Sequence, residues 1–542
     1  MKMKFIKRMM CLALAVMMML AIVACGSDDT GSGGGGDSTT PPPAGPGTTV
    51  VTENRTDDLP PIDMKDATLS LFAMVQSGSN EGSFDAKYDG DVVHNAVYQR
   101  NKDLKDRFNC QLSIIDKACD TNNNEEGSML NTMEALKETP TYHIITTASF
   151  QMVKLVQKGL LHDLNSSNIE YIDLNKDYYD DGYNIALNVG GRQYLVAGKL
   201  TISWYRYQIV TFFNRNLFLD NNVDYLYQTV LDGEWTLAKM AQIAGEFHTD
   251  DGDTVYNQAD TFGYYVFVGS DASQTDGFMG AFNLRLISKT EDGYMEKIDI
   301  DPTPWNEAIS EFMDMIGSKG CWAGKSEKNG GNEDGSVDTN TTVENKFLAG
   351  EAAMMTYRMF VVEKEAMIQM GRELEGYGIV PLPMANDDQY DYISYVQDQV
   401  LCLGIPYTMV DNDYILAQFF LEGFASESYN TTMPAYYERA LTKKYVSDEE
   451  SYEMIRIIDS NIIIDPVNVF FSFGVSTTSL RNVYAGKDTI VNVLSSSIVG
   501  DDAPVTQKVN EFNLAYAELD AQLEADGYAN SGRLQTEDDM NE

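Results

Sequence analysis

Basic residues are scarce in this chain. Its 542 residues include 39 Lys and Arg against 82 Asp and Glu, and the formal net charge is −43. Binding to a phosphate backbone depends on Lys and Arg contacts, and attraction to polyanions or anionic membrane surfaces needs positive potential as well. Nucleic acid is therefore not an expected partner. A neutral solute suits this surface best, although an acidic surface that only maintains solubility would have the same composition.

Histidine and cysteine are also few. The four histidines are scattered, and the sequence contains no HExxH, no CxxC and no Cys/His metal spacing. A zinc site is therefore not expected. Two of the six cysteines fall within the first 25 residues; the others are Cys110, Cys119, Cys321 and Cys402. Their disulfide state stays open, a Cys110–Cys119 pair being one option in an exported chain.

Motifs of common enzyme classes are missing. There is no GxSxG, no P-loop and no GxGxxG in a βαβ context. The segments 173–184 and 250–260 superficially resemble calcium loops, but Tyr178 stands where an EF-hand needs Gly and Asn184 replaces the bidentate Glu. We interpret both segments as polar turns. Neither a metal nor a cofactor is expected, and the missing motifs do not exclude hydrolysis.

The N-terminal part of the sequence contains an apolar run that ends at Cys25. Residues 1–10 carry Lys and Arg, residues 11–24 are apolar, and the run is short for a bilayer span. This pattern is typical of an export signal over residues 1–24. The residues that follow are rich in Gly, Ser, Asp, Thr and Pro, which predicts a flexible tether over 25–65.

The tail Ile22-Val23-Ala24-Cys25 resembles the lipobox of bacterial lipoproteins. The resemblance implies cleavage before Cys25 and acylation of its sulfur, palmitate included. A chance Cys in an uncleaved signal anchor is the alternative. The expected location is the cell membrane, lipid-anchored on its extracellular face.

From residue 66 the chain alternates strand-like and helix-like segments. Strands are predicted at 67–75, 111–116 and 142–149, and helices at 92–109, 125–138 and 150–161. Such alternation indicates an α/β fold whose parallel sheet carries helices on both faces. Ligands then bind at the carboxyl ends of the strands. A short hairpin is expected at 190–198, and Thr236 is expected near the cap of a helix.

Five later segments resemble family 1 extracellular solute-binding proteins, which are similar to maltose-binding protein. They are FFNRNLF with GEWTLAKMAQIA, KFLAGEAAMMTYRMF, YGIVPLP, LGIPYTMVDNDYILAQFFLEGFAS, and residues 432–466. The last of these resembles a lipoprotein subgroup of Gram-positive anaerobes. The resemblance covers most of residues 66–525.

The resemblance implies a two-lobed, type II periplasmic-binding-protein-like fold with a ligand cleft between lobes joined by hinge strands. Lobe one would comprise 66–210 plus 398–432, and lobe two 213–396 plus 433–525, followed by an acidic tail over 526–542. Hinge strands would lie near 211–213, 397–399 and 431–434. The implied protein is a monomer that captures a carbohydrate and delivers it to the permease subunits of an ABC importer.

The candidate ligand site combines aromatic side chains, which stack on sugar faces, with polar ones, which bind hydroxyls. The resemblance places Phe360 at a stacking position, with Tyr357 as its substitute; a Phe that plugs the core is the alternative. The other candidates are Arg358, Tyr207, Arg206, Asp276, Phe278, Gln397, Asp398, Thr147, Ser149 and Phe471. Ordinary roles remain open for several: a surface ion pair for Arg358, and an Asp-Gly turn at Asp276.

Two other functions remain possible from the sequence. The same tethered lobes could serve a glycan-sensing or adhesive surface lipoprotein. A surface glycoside hydrolase is the less favoured alternative, because the family resemblance implies a protein without enzymatic activity. Only the spatial separation of two carboxylates would reveal a catalytic pair.

Overall fold

The computed structural model describes residues 57–76, 83–119, 142–257, 259–268, 273–297, 301–325, 339–371, 375–440, 449–462, 464, 466–469, 477–497 and 504–525. The predicted signal and lipidation site at Cys25, the helix predicted over 125–138, Phe471 and the acidic tail lie outside these residues. Among the described helices, none is long and apolar enough to cross a bilayer.

The first sheet has four strands. They are β1 (Thr68–Gln76), β2 (Gln111–Cys119), β3 (Ile144–Ala148) and β12 (Leu401–Gly404), in the order β12-β3-β1-β2. β1 runs parallel to β2 and β3, whereas β12 is antiparallel to β3. The three strands predicted from the apolar runs are therefore confirmed, and the fourth strand comes from far along the chain.

The second sheet has the order β10-β4-β9-β5-β8, with β11 also paired to β4. Its strands are β4 (Gln208–Asn214), β5 (Phe262–Val268), β8 (Cys321–Lys325), β9 (Ala352–Arg358), β10 (Tyr377–Val380) and β11 (Tyr395–Val396). β4 is antiparallel to its neighbours, while β5 is parallel to β8 and β9. A separate hairpin joins β6 (Ile287–Lys289) and β7 (Met295–Lys297).

Helices surround both sheets. They are α1 (Val92–Phe108), α2 (Ser149–Gln157), α3 (Asp181–Leu187), α4 (Ser203–Arg206), α5 (Arg215–Asp220), α6 (Leu226–Leu231), α7 (Leu237–Gly245), α8 (Gly277–Ala281), α9 (Pro302–Ile316), α10 (Thr339–Leu348), α11 (Glu365–Gly371), α12 (Asp411–Ala440), α13 (Glu449–Ser460), α14 (Pro466–Val469), α15 (Thr477–Tyr484), α16 (Ile490–Ser497) and α17 (Pro504–Ala525). Short 3-10 turns occupy Ser273–Thr275 and Met359–Glu363. Thr236 caps α7 as predicted, its hydroxyl accepting from the Lys239 amide.

The two-lobed α/β architecture is confirmed, but both sheets are mixed rather than purely parallel. β12 enters the first sheet directly from the second by a tight turn and pairs with β3 in the antiparallel direction. The lobe boundaries given above remain a prediction.

Two local predictions were wrong. Residues 431–434 form no hinge strand; they lie inside α12, a helix of 30 residues that contains Pro434. The hydroxyls of Thr431 and Thr432 donate to the carbonyls of Glu427 and Ser428 one turn earlier, at 2.6 and 2.9 Å, so the β-branched residues are accommodated in the helix. The 190–198 hairpin is limited to a tight turn that bridges Val189 and Arg192.

Apolar side chains fill the space between each sheet and its helices. In the first half, Leu71 of β1, Leu104 and Phe108 of α1 and Phe420 of α12 belong to one buried cluster. This packing explains why α1 shows helical apolar spacing while its other face is polar. Cys110, Cys321 and Cys402 are buried free thiols, so the possible Cys110–Cys119 pair does not form.

A glycine on β5 sets the distance between the second sheet and α7. A Cβ on Gly263 would stand 2.1 Å from the carbonyl oxygen of Ala244, which is backbone and cannot rotate away. We expect Gly263→Ala to lower the free energy of unfolding by about 3 kcal/mol, measured by urea denaturation. Gly245→Ala, whose Cβ would meet nothing closer than 3.6 Å, is the matched control and should change it by less than about 1 kcal/mol. Equal effects would contradict this account.

Candidate functional site

A turn at residues 397–400 joins β11 of the second sheet to β12 of the first. Hydrogen bonds connect this turn to residues next to each of the two sheets. The Gln397 amide donates to the Tyr207 carbonyl at 3.0 Å, and the Ser149 amide donates to the Val400 carbonyl at 2.9 Å. The Ser149 hydroxyl donates to the Asp398 carbonyl at 2.7 Å. The second predicted crossing is therefore found at its expected position, as a turn rather than a strand.

Phe360 and Arg358 lie beside this turn. The Arg358 guanidinium stands 4.7 Å from the centroid of the Phe360 ring, and it donates to the Gln397 side-chain oxygen at 3.1 Å. The rings of Tyr207 and Tyr357 meet Phe360 edge-on, with centroids 6.4 and 6.1 Å away. Five of the predicted site residues are thus brought together. Phe360 is half-buried, whereas the two tyrosines are buried.

Charged side chains form a second part of this site. Arg481 of α15 donates to both carboxylate oxygens of Asp276, a bidentate pair that sequence reasoning did not find. Burial raises the pKa of Asp276 against the opposing charge of Arg481. Burial also raises the pKa of Asp398 to about 7, the negative charge of Asp276 adds to the rise, and Arg481 and Arg358 oppose it. Two carboxyls and two guanidiniums therefore share one region next to the turn.

Arg206 is occupied by protein partners. Its guanidinium donates to both carboxylate oxygens of Glu363, at 2.6 and 2.9 Å, and to the Ser83 hydroxyl at 2.7 Å. Ser83 follows β1 of the first sheet, and Glu363 lies in the 3-10 turn after β9 of the second. Arg206 therefore connects segments from the two sheets, and these bonds account for its burial without a ligand.

Of the remaining predicted site residues, some lie in the core and one contacts the turn. Phe278 is fully buried, 4.6 Å from Phe312 and 5.7 Å from Phe282 between ring centroids, so core packing explains it. Thr147 pairs with Cys402 inside the first sheet and is buried. Ser149 contacts the turn directly, as described above.

Two buried glutamines were missed by sequence reasoning. Gln208 and Gln274 are 0% and 2% exposed, and neither side-chain amide has a hydrogen-bond partner within the described part of the chain. Gln208 follows Tyr207 in sequence, and Gln274 precedes Asp276 by two positions. A buried amide without partners is costly. No pattern in the sequence separates these two glutamines from the others.

Two clefts on the described surface lie away from this cluster. One has a volume of about 760 Å³ and lies against α1; the other has about 320 Å³ and is lined mainly by residues 164–175. The residues around the 397–400 turn are instead packed against one another.

The acidic 250–260 loop brings the carboxylates of Asp250, Asp253 and Asp260 within 4.8 Å of one another. Asp260 accepts from the backbone amides of Asp251 and Asn257, at 3.2 and 3.4 Å. Hydrogen bonds within the loop therefore hold the predicted polar turn.

No family model and no curated protein sequence matches the chain. Solved structures resemble it. A sugar transporter protein of Rhizobium etli in an open conformation is 13% identical, with a TM-score of 0.49 over 82% of this chain and 99% of that one. An ABC transporter solute-binding protein of Thermotoga lettingae, bound with α-D-tagatose, is 11% identical, with a TM-score of 0.48 over 83% and 100%.

An ABC substrate-binding protein of Listeria monocytogenes in complex with cycloalternan is 13% identical, with a TM-score of 0.46 over 85% of this chain and 99% of that one. These neighbours are of the class that the sequence resembles. At such identities the likeness concerns the fold alone.

Asp398 should make stability depend on pH. An unfolded Asp titrates near 3.9, whereas Asp398 in the folded protein keeps its proton up to about pH 7. Folding therefore binds a proton between about pH 4 and pH 7, and this contribution to stability is lost as pH rises through that window. Asp398→Asn removes the titration.

When the pH rises from 5 to 8, the free energy of unfolding of the variant should increase relative to that of the unaltered protein by on the order of 1 to 3 kcal/mol. Urea denaturation at the two pH values measures the difference. A difference that does not change with pH would show that Asp398 is ionised throughout.

Breaking the Asp276–Arg481 pair should destabilise the folded protein, because one charged side chain would remain buried without a partner. Arg481→Met leaves a buried carboxylate without its cation, which we expect to cost about 3 kcal/mol of unfolding free energy. Adding Asp276→Asn should recover at least half of that loss, because no unpaired charge then remains. The same urea measurements test this, and additive losses in the double variant would contradict it.

Proposed function

We propose that this chain is a lipid-anchored, extracellular solute-binding protein that captures a carbohydrate between two lobes and delivers it to an ABC importer permease. The observation that carries the proposal is the cluster at the 397–400 turn, where an aromatic ring, two guanidiniums and two carboxyls lie beside the segment that joins the two sheets. A sugar presents apolar CH faces and a ring of hydroxyls, and this cluster offers a surface for each.

The polar side chains of the cluster suit a ligand rich in hydroxyl groups. Asp276 is already paired with Arg481, and Arg358 is bonded to the uncharged Gln397. The cluster holds as many positive as negative charges when Asp398 is ionised, and one guanidinium is in excess when Asp398 is protonated. Hydroxyl groups can both donate to Asp398 and accept from Arg358. The unpartnered amides of Gln208 and Gln274 also suit a ligand rich in hydroxyls.

The proposed mechanism is opening and closure about the 397–400 turn. In the structure the site residues contact one another, which we take as the closed arrangement. A sugar that bridges both halves would stabilise the closed form. The solute-binding proteins described above, which include complexes with tagatose and cycloalternan, support this proposal by analogy of fold.

A thermal-shift screen tests the proposal. The protein is mixed with neutral mono- and oligosaccharides and, in parallel, with short peptides. A ligand at about 100 times its Kd should add roughly 2.7 kcal/mol to the stability, or a few degrees in Tm. Stabilisation by a sugar series, without released product after long incubation, supports a carbohydrate receptor. Stabilisation by peptides alone would refute the carbohydrate assignment, and hydrolysed sugar would refute a binding protein.

The Phe360 ring should contribute to affinity more than to folding. Phe360→Ala removes a half-buried ring at the cluster, so we expect the Kd of the stabilising sugar to rise at least about tenfold. Calorimetric titration measures it. Tyr390→Ala, which removes a ring that is 82% exposed, is the matched control and should leave the Kd unchanged. An unchanged Kd in Phe360→Ala would remove this residue from the site.

A further inference from the structure

The larger cleft lies outside the cluster at the turn. It has a volume of about 760 Å³, within the range of ligand pockets. One wall is a stripe of α1 made by His94, Tyr98, Asn101 and Lys105, which follow one another at helical spacing. The other wall is the segment 85–89, which precedes α1. The opposite face of α1 packs on α12, so the cleft lies on the face that the core leaves uncovered.

Two tyrosines on this cleft are exposed together. Tyr88 is 70% exposed and Tyr98 is 43% exposed, and their rings meet edge-on with centroids 5.8 Å apart. A folded chain usually buries rings of this size, and a pair of exposed rings that line one cleft is a feature of binding surfaces. Because the rings are nearly perpendicular, they form an angled platform rather than a flat patch.

The wall that carries Tyr88 is held in place by hydrogen bonds. The Asn95 side chain accepts from the amides of Asp89 and Gly90, both at 3.2 Å, and Asp89 accepts from His94 at 2.9 Å. Behind it, the buried Arg100 donates to the carbonyls of Ser83 and Phe84. The cleft is therefore preformed, which lowers the entropic cost of binding.

Polar groups of both signs surround the rings. Asp85 and Lys105 are exposed lining residues, and neither forms an ion pair within the described part of the chain. Lys87 and Asp89 add one charge of each sign. Such a balanced set has no net preference for an ion, but it offers donors and acceptors to hydroxyl groups around an aromatic platform.

We propose that this cleft is a second carbohydrate-binding site, which holds a segment of a neutral polysaccharide on the Tyr88 and Tyr98 rings at the protein surface. It differs from the cluster at the 397–400 turn in that it opens to solvent and needs no closure. A polymer chain could therefore pass across it. This inference does not depend on what binds at the turn.

Affinity electrophoresis tests it. The full chain is run in native gels that contain soluble amylopectin, xylan or galactomannan, and the retardation is converted to a dissociation constant. We expect at least one polymer to retard the unaltered protein, and Tyr88→Ala with Tyr98→Ala to raise that constant about tenfold or more. The Phe replacements at the two positions keep the rings and should preserve most of the retardation.

Two further variants separate this site from the cluster at the turn. Tyr390→Ala removes an exposed ring elsewhere, and Phe360→Ala alters the turn cluster; neither should change the retardation. Retardation that is lost with Phe360→Ala but kept in the double tyrosine variant would overturn the inference, as would the absence of retardation by every polymer. Failure of the thermal-shift screen with short sugars leaves this result unaffected, so the two proposals fail separately.

Discussion

The turn at 397–400 is the constraint on which the arrangement of the two halves depends. A backbone segment that passes from one sheet to another takes part in the hydrogen bonds of neither sheet. Its buried amides and carbonyls still need hydrogen-bond partners. Here Tyr207 supplies one partner from the second sheet and Ser149 supplies another from the start of α2, beside the first. The side chains of Gln397 and Asp398 therefore belong to a segment that is hydrogen-bonded to residues of both halves.

The charged groups around this turn follow from the same burial. Carboxyls and guanidiniums that leave water must be paired or neutralised, and both solutions occur side by side. Asp276 has Arg481 as its partner, whereas burial favours the protonated form of Asp398 near neutral pH. This combination keeps the region polar without giving it a strong net charge, in a protein whose overall charge is −43.

Much of the fold was predictable from local sequence because its elements have strong periodicity. The apolar run in β1 and the apolar spacing in α1 depend on neighbours a few residues apart, and both predictions agree with the structure. Residues 431–434 gave a wrong prediction because the family resemblance placed a hinge strand there, whereas in this chain they continue the helix α12. Family resemblance led to Phe360 and Gln397, but Arg481 could not be found, since its partner Asp276 is 205 positions away.

The helix α12 has a mechanical consequence. Thirty residues of helix span about 45 Å. The helix begins beside the first sheet and ends near the 3-10 turn that follows β9 of the second sheet. Pro434 cannot donate an amide hydrogen, and the helix has one weak point there. Bending would concentrate at that point while the rest of the helix stays straight. A small angular change at Pro434 would then displace the last turn of the helix.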